Sequence, residues 1–239
     1  MRAVKLILMF GAVLTLLLSC SSSRFVEPLR RGENALALDF GGPIVSVPGV
    51  ATIPIPFSSL TYGRGLTQKL TAFGSWYTTA SVFNVWQFDC GVVREIWYNS
   101  ERKMGVTLSP QANFAFDSFE NNFSFWPILE SNFHWKYKFR FQQQDDLLNG
   151  SKQRYNFIYA GVNTWFELKG TKAHGVKQTT RVVPNFHIGH SIRRNDWSFN
   201  VEMKMLSPFS NNESVVLDYR SILGSQGATG VYIGVIKRF

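Results

Sequence analysis

Residues 123–142 (FSFWPILESNFHWKYKFRFQ) alternate so regularly that few backbones accommodate them. From Leu129 the odd positions are Leu129, Ser131, Phe133, Trp135, Tyr137, Phe139 and Phe141; the even ones are Glu130, Asn132, His134, Lys136, Lys138, Arg140 and Gln142. Side chains on a strand alternate between its two faces, so one face here is apolar and aromatic while the other is charged or polar. An ordinary strand needs about 5 or 6 residues, and this rhythm runs more than twice as far. A long apolar face opposite a long polar one suits a barrel wall, with lipid outside and a polar filling inside. The expected fold is therefore all-β, a small antiparallel up-and-down transmembrane β-barrel.

The same rhythm recurs along the chain. Strands are expected near residues 35–41, 58–65, 70–79, 82–96, 105–116, 123–142, 154–168, 181–192, from Trp197 onward, and 229–239. In the fourth of these, Trp86, Phe88, Cys90, Val92 and Ile96 share one parity, while Gln87, Asp89 and Glu95 take the other. Ten strands satisfy the even number that bacterial barrels use, with 8 and 12 still open. Beyond the first twenty residues no run approaches the ~18 apolar residues of a membrane helix. The 21 phenylalanines fit lipid-facing walls and interfacial girdles.

Three local features resemble known bacterial sequences. Arg2 and Lys5, the apolar run 6–18 and Leu17-Leu18-Ser19-Cys20 resemble a lipoprotein signal with its lipobox. That resemblance implies a leader over 1–19, an acylated Cys20 (palmitate among its acyl groups) and a polar periplasmic tether over 20–33. The barrel then occupies 34–239. Phe239, closing an alternating strand at the very end of the chain, resembles the signal read by the β-barrel assembly machinery. The run GGP, PIP and YGRGLTQKLT is similar to barrel lipoproteins of the Bacteroidota kind, which bring no activity with them. The implied location is the bacterial outer membrane, with the N-terminus anchored on the periplasmic side.

The net charge of +9 becomes +7 once Arg2 and Lys5 leave with the leader. An exported chain meets little nucleic acid, so outer-membrane lipids are the expected partner of this basic surface. Cations gather in the expected periplasmic turns near 66–69, 97–103, 143–153 and 193–196, while the opposite loops 42–57 and 80–83 carry no charge and 117–122 carries Asp117 and Glu120; the loop 169–179, with Lys169, Lys172 and Lys177, is the exception. The inward face is expected to hold Asp89, Glu95, Glu130, His134, Lys136, Lys138, Arg140, Arg181, His187, Glu202 and Lys204. Unpaired ions would cost several kcal/mol each there, so they must pair or stay wet. Two readings follow: a salt-bridged polar plug, or a narrow path favouring anions. His187 and Ser191 share a face but stand about 13 Å apart, and His190 and Ser191 face opposite ways. No catalytic set, metal-ligand spacing or cofactor motif is expected; with Cys20 acylated, Cys90 has no partner for an intramolecular disulfide. The expected role is a structural or accessory subunit of an outer-membrane complex, with one or more protein partners at the apolar loop 42–57 or the wall. A narrow anion channel and a lipid-tethered soluble periplasmic β-protein are the alternatives.

Overall fold

A computed structural model describes residues 25–47, 49, 51–119, 121–138, 154–168, 180–212 and 218–239. Its strands are β1 (Asn34–Val47), β2 (Ala51–Pro54), β3 (Phe57–Thr67), β4 (Leu70–Trp76), β5 (Val85–Asn99), β6 (Met104–Asp117), β7 (Asn122–Tyr137), β8 (Arg154–Phe166), β9 (Val182–Arg194), β10 (Trp197–Asn211), β11 (Asp218–Tyr219) and β12 (Gln226–Arg238), with one short helix, α1 (Thr78–Val82). Ten of these strands pair antiparallel with their neighbours around a ring that β1 closes between β12 and β3. Closure removes the sheet edges that an open sheet would expose. At the seam the terminal residue completes the ladder: Phe239 N–H donates to Asn34 O, and Asn34 N–H donates to Phe239 O, both at 2.9 Å.

The alternation places the two faces as their chemistry demands. On β7, Glu130, Asn132 and His134 are buried, while Leu129, Phe133 and Trp135 are exposed. On β10, Ser198, Asn200, Glu202 and Lys204 point inward, while Phe199, Val201 and Met203 are exposed on the outside. Leu36, Leu38 and Phe40 of β1, Phe88 of β5, Ile158 of β8, Ile188 of β9 and Ile233 of β12 continue that belt around the wall. Soluble monomers seldom expose apolar patches above a few hundred Å². An apolar belt around a closed barrel with a polar interior is the inverse of a soluble core, and it matches a barrel in lipid.

The two ends of the barrel differ. At one end lie the turns Gln68-Lys69 between β3 and β4, residues 100–103 between β5 and β6, and Asn195-Asp196 between β9 and β10, together with the longer 138–153 connection between β7 and β8. Asn195 takes a positive φ of 56°, the conformation a two-residue hairpin turn needs and asparagine tolerates. Both described chain ends lie here. The opposite end carries α1, where the rhythm of 70–79 predicts continued strand and 80–83 an open loop. The segment 42–57, expected to be a loop, is largely a hairpin: β1 continues to Val47 and β2 folds back on it in register from Ile44↔Pro54 to Val47↔Ala51. Its prolines are tolerated because β2 is an outer strand, and Pro43 contributes its carbonyl, accepting from Ile55 N–H at 2.9 Å.

The chain before β1 departs furthest from expectation. Residues 25–33 are not a polar tether. Phe25, Val26 and Leu29 are buried inside the turn end, so any free tether ends before Phe25. Phe25 and Leu29 pack with Ala35, Ala37, Phe73, Val93 and Ile236; Val26 packs with Phe157 and Tyr159. Gly65 permits this close approach, because a Cβ there would stand 1.9 Å from Arg30 O.

Candidate functional site

Among the described residues many ionisable groups converge in the interior, and its layers follow from strand parity. At the waist, Glu130 accepts hydrogen bonds from Asn132 and Asn163, each at 2.8 Å, and Asn132 Oδ1 lies 2.6 Å from His187 Nε2. Beside this group, Tyr159 donates to Glu202 at 2.9 Å, and Lys204 pairs with Glu202 at 3.3 Å. The Lys204 ammonium also lies 5.8 Å from the Tyr232 ring centroid. Toward the loop end, Tyr77 donates to Asp89 at 2.7 Å, and Gln87 donates to Asn113 at 3.0 Å. Charges removed from water persist only with such partners.

The turn end is sealed by a second network, centred on the segment before β1. Glu27 pairs with Lys136 and accepts from Tyr155 at 2.9 Å. Arg193 donates to Tyr155 at 2.9 Å and reaches Glu33 at 3.7 Å. Leu29 N–H donates to Thr71 Oγ1 at 2.7 Å, and Thr107 Oγ1 donates to Val26 O at 3.0 Å. Glu27 precedes the first strand. Burial pushes its carboxyl up, but Lys136 and His134, with the hydrogen bonds from Lys136 and Tyr155, outweigh burial and hold it below its ordinary value.

The expected inward residues separate into three groups. Asp89, Glu130, His134, His187, Glu202 and Lys204 are buried in the lumen. Lys136 is half-buried at the turn end with Glu27 rather than among the waist residues, and Glu95 is half-buried at the same end. Lys138 and Arg181 are exposed, because β7 ends at Tyr137 and β9 begins at Val182. Cys20 and Arg140 lie outside the described residues. Phe239 is exposed at the seam, and Cys90 is exposed on the outside of β5. His190 faces outward with its Nε2 2.7 Å from Tyr137 Oη, whereas Ser191 faces inward.

Glu27, Glu33, Tyr155, Tyr159 and Arg193 are not among the residues expected inside, although Tyr155 and Arg193 are expected at the periplasmic rim. Arg193 shares its parity with His187 and Ser191 on β9, so that signal was present. The segment carrying Glu27 and Glu33 has no strand rhythm to point inward. Gly105 shows how tightly the interior is filled: it faces His134 across β6 and β7, and a Cβ there would meet the imidazole at 2.6 Å. Among the described residues, no three His, Cys, Asp or Glu side chains gather as a metal-ligand set.

No protein-family model matches the sequence, and no curated protein is similar to it. Solved structures similar in architecture are outer-membrane barrels. The outer membrane channel from Pseudomonas putida has TM-score 0.46 and 10% identity, with 91% of this chain and 99% of that one covered. The NanC porin has TM-score 0.39 and 12% identity, with 84% and 98% covered. Ail, the attachment invasion locus protein of Yersinia pestis, has TM-score 0.28 and 10% identity, with 87% and 99% covered. Likenesses at this level carry no role across. What this chain does must be argued from its own wall and lumen.

Proposed function

We propose that this chain is a non-enzymatic structural barrel of the bacterial outer membrane, anchored also by lipid at Cys20, that serves a larger assembly through its outer surface. The observation carrying this reading is the filled waist. Gln87, Asn113, Asn132, His134, Tyr159, Ser198, Glu202 and Tyr232 all face inward, and each is at most 1% exposed. Small barrels are filled by their own side chains, and this one follows that rule around its whole circumference. With Lys204 paired to Glu202 and Lys136 to Glu27, neither cation is left to attract a passing anion.

The acyl anchor suits the same geometry. Phe25 is five positions beyond Cys20, a reach of at most about 18 Å, so the acyl chains would enter the leaflet beside the sealed end. The surface offered to a protein partner is the extension past the last β1–β3 pair, Gly41↔Phe57. There β2 and β11 flank β1, and Ile53, Phe209, Ile222 and Leu223 are exposed. Insertion of the closed barrel by the β-barrel assembly machinery, with Phe239 at its seam, completes the reading.

Planar-bilayer recording of the purified protein tests the lumen: no conductance steps are expected. Stable steps that shrink when Lys204 is neutralised would replace this reading with the anion channel. Co-purification in mild detergent tests the assembly, with a defined partner expected and lost on truncation of residues 48–54. A lone monomer under every extraction condition would remove the accessory role.

A further inference from the structure

Outside the lumen, a notch lies at the turn end, where three elements bring cations together. It is bounded by Arg31, the β3–β4 turn from Leu66 to Leu70, and Arg94, Glu95 and Ile96 of β5, and encloses about 990 Å³. Each cation is fixed by backbone that the fold cannot easily move. Arg31 is held by Gly32 N–H donating to Gly65 O at 2.8 Å and by Gly65 N–H donating to Glu33 O at 2.9 Å. Lys69 sits in the two-residue turn, with its carbonyl accepting from Glu95 N–H at 2.9 Å. Arg94 stands opposite Leu70 in the β4–β5 register. Among the described residues no carboxylate lies within ion-pair distance of Arg31, Lys69 or Arg94, whereas Lys136, Arg193, Lys204 and Lys237 all have acidic partners. Glu95 is the one acid lining the notch, and it is half-buried.

The notch is also amphiphilic. Leu66 and Ile96 are exposed at its edge; above Leu66 on the outward face of β3 the exposed Arg64 comes first, and Tyr62 and Leu60 then continue into the apolar belt. Trp97 and Tyr98 stand beside it at the level where interfacial aromatics collect. Ligand sites of about 300–1,000 Å³ commonly combine apolar walls with a few convergent polar groups. A ligand matching this layout carries an anionic head against three cations and hydrocarbon running up the wall.

We propose that the notch binds the phosphate headgroup of an anionic phospholipid, with Arg31, Lys69 and Arg94 on the phosphate and Leu66 and Ile96 against the first acyl carbons. The proposal rests on the membrane reading above and adds a specific lipid site to it. Positively charged rims attract anionic leaflets in general. This site differs in that, among the described residues, its cations have no ion-pair partner, and they flank a cavity open to the hydrocarbon face.

The test uses full-length protein in nanodiscs of phosphatidylcholine doped with phosphatidylglycerol, with retained lipid counted by native mass spectrometry. Wild type should retain phosphatidylglycerol over phosphatidylcholine. The double variant Lys69→Gln with Arg94→Gln should weaken that preference by at least about tenfold, the loss of two headgroup contacts. Lys237→Gln, at a cation paired to Asp196, should leave it unchanged. Equal loss in Lys237→Gln and the double variant would reduce the effect to general rim charge and overturn the site. Inorganic phosphate that binds without lipid and displaces phosphatidylglycerol at equal concentration would assign the notch to a free anion instead. Failure of wild type to enter nanodiscs would sink the membrane reading itself, whereas insertion with unaltered preference in the double variant sinks only the lipid site.

Discussion

Removing Glu27 tests whether residues 25–33 are a plug held by charge or a passive lining. Glu27→Ala deletes the ion pair with Lys136 and the acceptor for Tyr155 Oη, and leaves Lys136 and Arg193 facing a smaller, uncharged site. Breaking a buried pair by removing one partner costs about 3–5 kcal/mol. Lys136 retains 23% of its side-chain surface, so water can partly replace the carboxylate, and the lower limit of about 3 kcal/mol applies. Because 1.4 kcal/mol is tenfold in a population, the undocked fraction of the plug should rise by roughly a hundredfold. Hydrogen exchange followed by mass spectrometry reads this directly. The peptide covering 25–33 should exchange about a hundredfold faster, while peptides of β9, β10 and β12 hold their rates. Adding Lys136→Met to Glu27→Gln removes both charges together, and most of the protection should return. Exchange of 25–33 within twofold of wild type in Glu27→Ala would refute the ion-pair lock. Uniform acceleration across all strands would refute the plug as a separately opening unit.

Gly65→Ala places a Cβ 1.9 Å from Arg30 O, so the plug should undock, with 25–33 losing protection while the barrel keeps its heat-resistant mobility on unboiled gels. Ile233→Lys puts a charge on the exposed face of β12, midway along the wall. Unfolding by guanidinium in lipid should show about 2–4 kcal/mol of destabilisation, against almost none if that face were in water. The Glu27 carboxyl lies below its ordinary value, so its contribution is complete above that value and disappears as pH falls through the lower folded one. The urea midpoint of wild type relative to Glu27→Gln should therefore be constant from about pH 8 to pH 5 and converge at lower pH. A difference that grew on acidification would reverse the sign assigned to this group.

The wall was legible because every spanning strand repeats one rule. Phe133 and Phe199 point out for the same reason that His134 and Asn200 point in, and ten repetitions average away local exceptions. The waist followed from the same parity, which placed Glu130, His187 and Glu202 inside without naming their partners. Other features depend on contacts remote in sequence. Tyr155 and Glu27 are 128 positions apart, and no local pattern announces that pairing. Phe25, Val26 and Leu29 stand at helical spacing, but the stretch holds Pro28 and is too short and too charged to show a period, so composition alone suggests a linker. The five-residue α1 has no side-chain cap and no acidic first turn, so it lacks the signals that mark a helix start. Pro43 and Pro54 obscured the hairpin because proline argues against a central strand but not an outer one.

The plug also gives the proposed acyl anchor at Cys20 a specific task. Phe25 and Leu29 touch Ala35 and Ala37 on β1, Phe73 on β4, Val93 on β5 and Ile236 on β12, while Val26 touches Phe157 and Tyr159 on β8. These contacts lie on both sides of the β1–β12 seam, so the plug reads the closed ring and cannot form fully on an open sheet. The same segment places Arg31 over the β3–β4 turn through the bonds to Gly65. One short stretch thus reports closure, seals the turn end through Glu27 and Lys136, and completes the cationic notch outside. An acyl group five residues upstream would hold this stretch at the membrane surface before the strands close, turning a long search into a local one. On that logic the proposed anchor would serve docking of the plug, not retention of a finished barrel in lipid. A Cys20→Ala chain should therefore still insert, but close slowly and with 25–33 undocked.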